Sequence, residues 1–373
     1  MSNVRIALIG YGSMGASHAD KIFKGEVKNS TLAAVCDPSA ERLELAKTNF
    51  GKDFPTFETL DQLFQNSDIF DAVVIVSPHY EHVKTAVTAF EHGKHVLVEK
   101  PAGVYTKEVL EMNDAAKKSG KTYAIMYQQR TIDKYKKLKE LIDSGELGAI
   151  KRFTWIITDW YRPQAYHDSA SWRSSWKYEG GGTLINQCPH QLDLWQWLVG
   201  MPTRIISFNG YGKYHNIEVE DEVIAHAEYA NGMTAQFIAS TGEAPGTNRL
   251  EIACDMGKIV LETGQPMIFY RNTVSERVFE KTNTERFGAP ETWKCEIPVT
   301  GAGGHHATII ANFVDNILNG TPLIAPGEEG INGLTLSNAI HLSSFTGQWV
   351  DLPIDHDLFY QHLQQKIKDS KKQ

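Results

Sequence analysis

Residues 4–15 have the sequence VRIALIGYGSMG, an apolar run followed by three glycines in the spacing G-x-G-x-x-G. The run Val4–Gly10 predicts a buried strand, and Gly12–Lys24 predicts the helix after it. Glycines in this turn let the backbone approach a pyrophosphate, which the helix N-terminus stabilises. Because an acidic residue, Asp37, ends the next predicted strand, the fingerprint of a dinucleotide site is complete.

Asp37 also bears on the choice of cofactor. Its carboxylate would accept hydrogen bonds from the adenosine ribose and repel a 2′-phosphate, which favours NAD over NADP. Arg42, five residues on, could offset that repulsion, but pairing with a nearby Glu on the helix surface is the simpler interpretation. The full set of candidate cofactor-binding residues is Gly10, Tyr11, Gly12, Ser13, Met14, Gly15, Asp37, Ser77, Pro78, His79, His82, Glu99 and Lys100.

Short apolar runs alternate with helical patterns over the first third of the chain. This alternation predicts a Rossmann domain, an α/β doubly wound parallel sheet, over residues 1–128. The predicted strands are Val4–Gly10, Leu32–Asp37, Ala72–Pro78, His95–Pro101 and Thr122–Gln128, and the helices are Gly12–Lys24, Ser39–Phe50, Tyr80–Glu91 and Lys107–Lys118.

The pattern changes after residue 128 and predicts a second, α+β domain over residues 129–373, built on a mainly antiparallel sheet. A helix at Asp133–Ser144 precedes a β-rich stretch, Ile150–Tyr161. Two pairs of strands flank turn sequences, Asn231-Gly232 in one and Asp255-Met256-Gly257 in the other. Two further helices are predicted near His306–Leu318 and Ile331–Ser344.

Composition excludes several classes of protein. The 373 residues carry a formal net charge of −8, which argues against a nucleic-acid partner, and the basic cluster Lys366, Lys368, Lys371 and Lys372 is interpreted as a solvated tail. No apolar stretch reaches the ~20 residues of a membrane span. Four scattered cysteines predict reduced thiols, and a strand so close to residue 1 leaves no room for a signal peptide. We therefore expect a cytoplasmic protein with no membrane partner.

Two segments carry residues suited to chemistry. Glu99-Lys100-Pro101 ends the fourth predicted strand, at the carboxyl edge where open α/β sheets bind ligands. The Lys100 ammonium could face that crevice, or it could be an ordinary exposed lysine.

The second segment follows three glycines, Gly180–Gly182, and is predicted to form an amphipathic helix up to about Val199. Asn186, His190 and Asp193 are spaced i, i+4, i+7 and would share one helix face. The alternative is a histidine satisfied by Asp193 in the core. A metal site using Cys188, His190 and His305 or His306 matches no recognised ligand spacing, so no metal is expected.

An aromatic segment, residues 160–178, contains Arg and His among its rings. Sugar rings pack C–H faces on aromatic rings while Arg and His bind their hydroxyls, although about half of these aromatics are expected in the core. The candidate substrate-binding residues are Lys100, Gln128, Arg130, Tyr161, Trp172, Arg173, Asn186 and His190.

The chain resembles the glucose–fructose oxidoreductase / inositol dehydrogenase family (Gfo/Idh/MocA). The resemblance is carried by GYGSMGASH at residues 10–18, EKP at 99–101 and GGGTLINQCPHQLD at 180–193, with Trp172-Arg173 and APGEEG at 325–330. It implies a two-domain enzyme with a large open sheet that supports homo-oligomers, dimers or tetramers. Lys100 and His190 match the family pattern, whereas its usual Asp is Asn186 here and its usual Gly two residues later is Cys188.

The resemblance implies an NAD-dependent dehydrogenase that oxidises a secondary ring hydroxyl of a sugar, glycoside or inositol-type polyol to a ketone. His190 would take the proton, Lys100 would stabilise the alkoxide and Asn186 would orient the substrate. An Asp at position 186 would favour the protonated forms of Lys100 and His190, and Asn removes that influence. The alternatives are an NADP-linked or tightly cofactor-retaining oxidoreductase, a hydrolase that uses NAD transiently, and a non-catalytic regulator such as the galactose-pathway repressor.

Overall fold

A computed structural model describes residues 2–370, which divide into two compact units. Unit 1 comprises residues 2–132 and 303–334, and unit 2 comprises residues 133–302 and 335–370. Lys371 and Lys372 of the predicted basic tail lie outside the described residues.

The first part of unit 1 alternates strands and helices. Its elements are β1 (Val4–Ile9), α1 (Ser13–Phe23), β2 (Ser30–Cys36), α2 (Ala40–Phe50), β3 (Thr56–Phe57), α3 (Leu60–Gln65), β4 (Ala72–Ile75), α4 (His82–Glu91), β5 (His95–Val98), α5 (Thr106–Ser119) and β6 (Tyr123–Ile125).

The six strands of unit 1 form one parallel sheet in the order β3-β2-β1-β4-β5-β6. Every residue of β4 and β6 is buried, as expected for strands covered on both faces. The strand order reverses between β1 and β4, and ligands of such sheets bind beyond the carboxyl ends of the strands at this point. The predicted doubly wound domain is therefore confirmed; only β3 and α3 were not predicted.

The remaining part of the chain adds nine strands and seven helices within the described residues. They are α6 (Asp133–Asp143), β7 (Ile150–Ile157), α7 (Gln164–His167), α8 (Pro189–Val199), β8 (Arg204–Tyr211), β9 (Glu220–Glu228), β10 (Thr234–Ser240), β11 (Asn248–Cys254), β12 (Gly257–Glu262), β13 (Met267–Asn272), α9 (Glu276–Thr282), β14 (Thr292–Ile297), α10 (His306–Asn319), α11 (Gly330–Thr346), β15 (Val350–Asp351) and α12 (His356–Lys368).

Unit 2 is built on a nine-stranded sheet in the order β14-β13-β12-β11-β7-β10-β9-β8-β15. All neighbours are antiparallel except β7 and β10, which run parallel. The predicted hairpin at Asn231-Gly232 joins β9 and β10, and Gly232 has the positive φ of +83° that this tight turn requires. The predicted α+β architecture with a mainly antiparallel sheet is confirmed.

Residues 303–334 belong to unit 1, whereas the sequence assigned everything after residue 128 to the second domain. The physical reason is α10, which buries Ile309, Ile310, Phe313 and Val314 and packs against α1, β1 and β5. An apolar stripe on a helix shows that it must be covered, but its place in the chain does not show which sheet covers it.

Two further observations concern the whole described chain. The four cysteines are free thiols. None of the helices in residues 2–370 combines the length and the apolar character needed to cross a membrane.

Candidate functional site

The glycine loop between β1 and α1 has the shape that a pyrophosphate needs. Gly10 has a φ of +93°, and a Cβ there would lie 2.5 Å from the carbonyl oxygen of Val76. A Cβ at Gly15 would lie 1.9 Å from the carbonyl oxygen of Gly10. At Gly12, which caps α1, a Cβ would meet nothing nearer than Arg42 Nη1 at 3.9 Å. Gly10 and Gly15 therefore hold the turn, while Gly12 leaves room for a phosphate at the helix N-terminus.

Asp37, at the end of β2, is only 2% exposed and supports this loop. Its Oδ2 accepts a hydrogen bond of 2.7 Å from the Tyr11 backbone N–H, and its Oδ1 accepts one of 2.9 Å from Ser39 N–H. Each carboxylate oxygen can accept a further bond, so these contacts leave capacity for ribose hydroxyls. The sequence predicted that Arg42 pairs with a neighbouring Glu. In the structure Arg42 Nη1 instead lies 3.4 Å from Asp37 Oδ2, so Arg42 pairs with Asp37.

Glu99 and His18 form a buried pair that supports the backbone at Lys100. His18 Nε2 lies 2.8 Å from Glu99 Oε1, and Glu99 Oε2 accepts a hydrogen bond of 3.0 Å from the Lys100 backbone N–H. Burial alone would raise the pKa of Glu99, but the hydrogen bond from His18 and the charges of His18, Lys100 and His306 lower it to about 2. Glu99 is therefore a fixed anion that holds the backbone of half-buried Lys100.

Two of the predicted ligand-binding residues, His82 and Arg130, are buried and bind protein groups. His82 is 1% exposed, and its ring nitrogens lie 2.7 Å and 2.8 Å from the carbonyl oxygens of Pro101 and Ser77. Arg130 is 2% exposed and donates a hydrogen bond of 2.6 Å to Glu329 Oε2. His82 thus braces the loops that follow β4 and β5, and Arg130 ties the end of the Rossmann sheet to residues 324–329.

In unit 2, the predicted amphipathic helix is two elements. Residues 183–187 form one π-helical turn, in which the Cys188 N–H donates a hydrogen bond to the Thr183 carbonyl oxygen. The α-helix α8 begins only at Pro189. Asn186 therefore lies in the π turn and His190 in the first turn of α8, so the two residues do not belong to one regular α-helix as predicted. Single π turns are frequent at functional sites.

Helix α8 is largely enclosed, because all of its residues except Trp197 and Val199 are buried. Trp195 stacks on Phe153 of β7 and Phe237 of β10, with ring centroids 5.9 Å and 5.6 Å apart. His190 is 5% exposed, and Asp193 accepts a hydrogen bond of 3.0 Å from Gln196. The sheet therefore fixes the helix that carries His190.

Glu220, which no sequence pattern marks, holds the glycine-rich turn. Its carboxylate accepts hydrogen bonds of 3.0 Å and 2.8 Å from the backbone N–H groups of Gly182 and Leu184, and it pairs with His341 at 3.0 Å. A Cβ at Gly182 would lie 2.3 Å from the carbonyl oxygen of Glu220, which explains that glycine.

Glu179 is the second residue that the sequence did not reveal. It is 2% exposed, its Oε2 accepts a hydrogen bond of 2.5 Å from Ser174 N–H, and its Oε1 accepts one from Asn186 Nδ2. Burial raises its pKa to about 7, against the lowering effect of these two hydrogen bonds and of Arg173. A buried carboxyl group whose pKa is raised to about 7 thus contacts Asn186, the position at which the resemblance implies an aspartate.

Most aromatic side chains of residues 160–178 are at least partly exposed and do not belong to the buried core. Of these rings only Trp176 is fully buried, while Tyr161 and Trp172 are 48% and 39% exposed. Arg173 lies over the rings of Tyr166 and Trp172 and donates a hydrogen bond of 2.7 Å to the Tyr166 hydroxyl. The same hydroxyl accepts one of 3.2 Å from Gln187 of the π turn, so the segment is linked to the turn that bears Asn186.

No three His, Cys, Asp or Glu side chains among residues 2–370 are grouped as metal ligands would be. The alternative set of Cys188, His190 and His305 or His306 therefore has no geometric support among these residues.

Two family models match the two parts of the chain. Residues 4–127 match a model described as "Oxidoreductase family, NAD-binding Rossmann fold", and residues 135–260 match the "GFO/IDH/MocA C-terminal domain". Together they cover more than half of the sequence.

Named relatives agree with these models. The chain is 30% identical to the rhizopine catabolism protein MocA of Rhizobium meliloti over 54% of this chain and 58% of that protein, so the match spans little more than half of MocA. It is 25% identical to levoglucosan dehydrogenase of Pseudarthrobacter phenanthrenivorans over 95% of this chain and 99% of that one. Among solved structures, the WlbA dehydrogenase of Bordetella pertussis in complex with NADH and UDP-GlcNAcA has a TM-score of 0.79 at 24% identity, covering 95% of this chain and all of that chain. That likeness shows the shared fold.

Proposed function

We propose that this chain, which belongs to the GFO/IDH/MocA family of oxidoreductases, oxidises a secondary ring hydroxyl of a sugar, glycoside or inositol-type polyol to a ketone. The observation that carries the proposal is the pairing of a pyrophosphate-shaped glycine loop with Lys100 fixed at the carboxyl edge of the same sheet. A relative named levoglucosan dehydrogenase supports a carbohydrate-like substrate. A nicotinamide cofactor held by Gly12 and Asp37 would supply the hydride acceptor.

Lys100 is assigned to the oxygen of the reacting hydroxyl. An alkoxide develops on that oxygen as the hydroxyl proton is removed, and an ammonium group stabilises it most strongly where water is excluded. The buried Glu99 anion accepts a hydrogen bond from the Lys100 backbone N–H. This contact restrains the backbone from which the Lys100 side chain extends. Glu99 and His18 are therefore positioning residues.

His190 is assigned as the base that removes the hydroxyl proton, and Asn186 as the residue that orients the substrate. A neutral imidazole is suited to proton transfer near neutral pH. The π turn and α8 hold the two residues on separate short elements that the sheet of unit 2 supports.

The direct test is cofactor reduction, followed at the nicotinamide absorbance, with a panel of inositols, aldoses, glycosides and acyclic 2-hydroxy acids. We expect turnover with cyclic polyols and none with the acyclic acids. Tight cofactor binding with no turnover on any member of the panel would favour a non-catalytic regulator of the same fold.

We expect NAD⁺ to be preferred over NADP⁺ by about tenfold or more in kcat/KM, because the Asp37 carboxylate repels a 2′-phosphate. Asp37→Ala should narrow that difference. Asp37→Asn is the matched variant, since it keeps an acceptor for Tyr11 N–H but removes the charge. Arg42 lies against the same carboxylate, so equal or better efficiency with NADP⁺ in the wild type would show that Arg42 binds the phosphate and would overturn the preference.

We expect Trp172→Ala and Arg173→Ala each to raise KM for the best polyol by roughly tenfold. This factor corresponds to the loss of one substrate contact of about 1.4 kcal/mol. The reason is that an exposed ring and a guanidinium held on Tyr166 offer a stacking face and donors for ring hydroxyls. Cofactor affinity should not change. Trp293→Ala, an exposed ring on β14, is the control. If both variants fold and keep the wild-type KM, the aromatic segment has a structural role and does not bind the substrate.

A further inference from the structure

The contact between Glu179 and Asn186 joins a titratable group to a side chain that has two different polar ends. The Asn186 amide presents either a carbonyl acceptor or an N–H donor, depending on which way it faces. An ionised carboxylate only accepts hydrogen bonds, so it fixes Nδ2 toward Glu179 and leaves Asn186 Oδ1 facing the other way.

Protonation of Glu179 would reverse this arrangement. Its Oε2 holds the Ser174 N–H at 2.5 Å, and the carbonyl oxygen of a neutral carboxyl group is the better acceptor, so the proton is placed on Oε1. An O–H on Oε1 and an N–H of Asn186 would then be two donors in opposition. The amide relieves this conflict by turning, so that Oδ1 accepts the Glu179 proton and Nδ2 faces away.

We propose that Glu179 is a positioning residue whose protonation state sets which end of the Asn186 amide the substrate meets. The inference rests on the proposed function in that it assigns Asn186 to a substrate hydroxyl. With Glu179 ionised, Asn186 offers an acceptor to the hydroxyl hydrogen of an alcohol. With Glu179 neutral, it offers a donor instead and the alcohol loses that contact.

The surroundings of Glu179 place the change near neutral pH. Burial is the largest influence and raises its pKa to about 7, and Glu220 adds to this while Arg173 opposes it. The other titratable groups nearby are His341, paired with Glu220, and His167, whose Nδ1 lies 2.7 Å from the Ser174 hydroxyl. Ser174 has an unusual positive φ of 56°, the conformation from which its N–H meets Glu179.

The same contact bears on the family's missing aspartate. The resemblance implies a carboxylate at position 186, where this chain has the amide of Asn186. That amide donates a hydrogen bond to the Glu179 carboxylate. The Glu179–Asn186 pair thus retains one negative charge above neutral pH, as an aspartate at position 186 would.

The first test needs no substrate. Infrared difference spectra recorded against pH should show the carbonyl band of a protonated carboxyl group that titrates near neutrality and is absent in Glu179→Gln. In Asn186→Ala the midpoint should move to higher pH, because the hydrogen bond that the ionised carboxylate loses is stronger than the one that the neutral form loses. Glu280→Gln, which changes an exposed glutamate on α9, should leave the band unchanged. No neutral-range band, or an unshifted midpoint in Asn186→Ala, would overturn the proposal.

The second test is the acidic limb of kcat/KM for the best polyol. Both the base and Glu179 gain a proton along this limb in the wild type, so kcat/KM should fall more steeply with decreasing pH than in Glu179→Gln, where only the base titrates and the fall is about tenfold per pH unit. Asn186→Asp should move the acidic limb upward, since two facing carboxylates share a proton. The swap Glu179→Gln with Asn186→Asp should restore the steep limb.

The outcomes separate the inference from the proposed function. A folded Glu179→Gln variant with the wild-type slope overturns the role of Glu179, although polyol oxidation would stand. An enzyme that oxidises no polyol overturns the proposed function, while the infrared comparison still decides whether Glu179 and Asn186 titrate as a pair.

Discussion

Replacing Lys100 by Met should lower kcat for the best polyol by about 10³-fold or more, with little change in cofactor affinity. Loss of one donor to a developing oxyanion costs about 10² to 10³ in rate, and Lys100 also carries a full charge. Methionine has a similar length and no charge, so the side chain still fills its place. The Glu99 contact is made by the backbone and survives the substitution.

Single-turnover kinetics with saturating cofactor measure this effect on the chemical step, and NADH fluorescence measures binding. Lys117→Met, an exposed lysine on α5, is the matched control and should behave as wild type. Lys100→Arg keeps the charge on a different geometry and should recover only part of the rate. A Lys100→Met enzyme within tenfold of wild type would remove Lys100 from the reaction.

Local patterns were sufficient to predict the Rossmann half of the fold. The apolar runs of β1, β4 and β5 lack alternation because both faces of a parallel sheet are covered, and the glycine spacing marks the turn after β1. The assignment of α10 could not be predicted in this way. Its apolar stripe is visible in the sequence, but β1 and β5, the strands that it contacts, are more than 200 residues away along the chain.

The candidate site shows the same limit at the level of single residues. Lys100 could be selected because it directly follows a predicted strand. Glu179 and Glu220 could not be selected, because an isolated glutamate in a sequence usually predicts a solvent-exposed side chain. Only the fold shows that these two are buried against backbone N–H groups. The break between Asn186 and His190 had one visible signal, Pro189, since proline favours the first turn of a helix and begins α8 here.

His190 is the residue whose loss should affect the pH dependence as well as the rate. His190 lies in the first turn of α8, and Trp195 anchors this helix by stacking on Phe153 and Phe237 of the sheet. Truncation of His190 to Ala should therefore leave the support of the helix intact. We expect His190→Ala to lower kcat by about 10² to 10⁴-fold, the usual contribution of a positioned acid–base group. Cofactor binding should be retained.

Chemical rescue distinguishes a base from a structural histidine. If His190 removes the hydroxyl proton, added imidazole should restore part of the rate of His190→Ala, in proportion to the concentration of its neutral form. His226→Ala, which removes a ring that faces Gln236 on the sheet, is the control and should show neither the loss nor the rescue. The His190→Ala enzyme should also keep one step of its acidic limb, from Glu179, because that group is on a separate element. A rate near wild type, or a large loss that imidazole does not relieve at any pH, would mean that the proton leaves by a route that does not include His190.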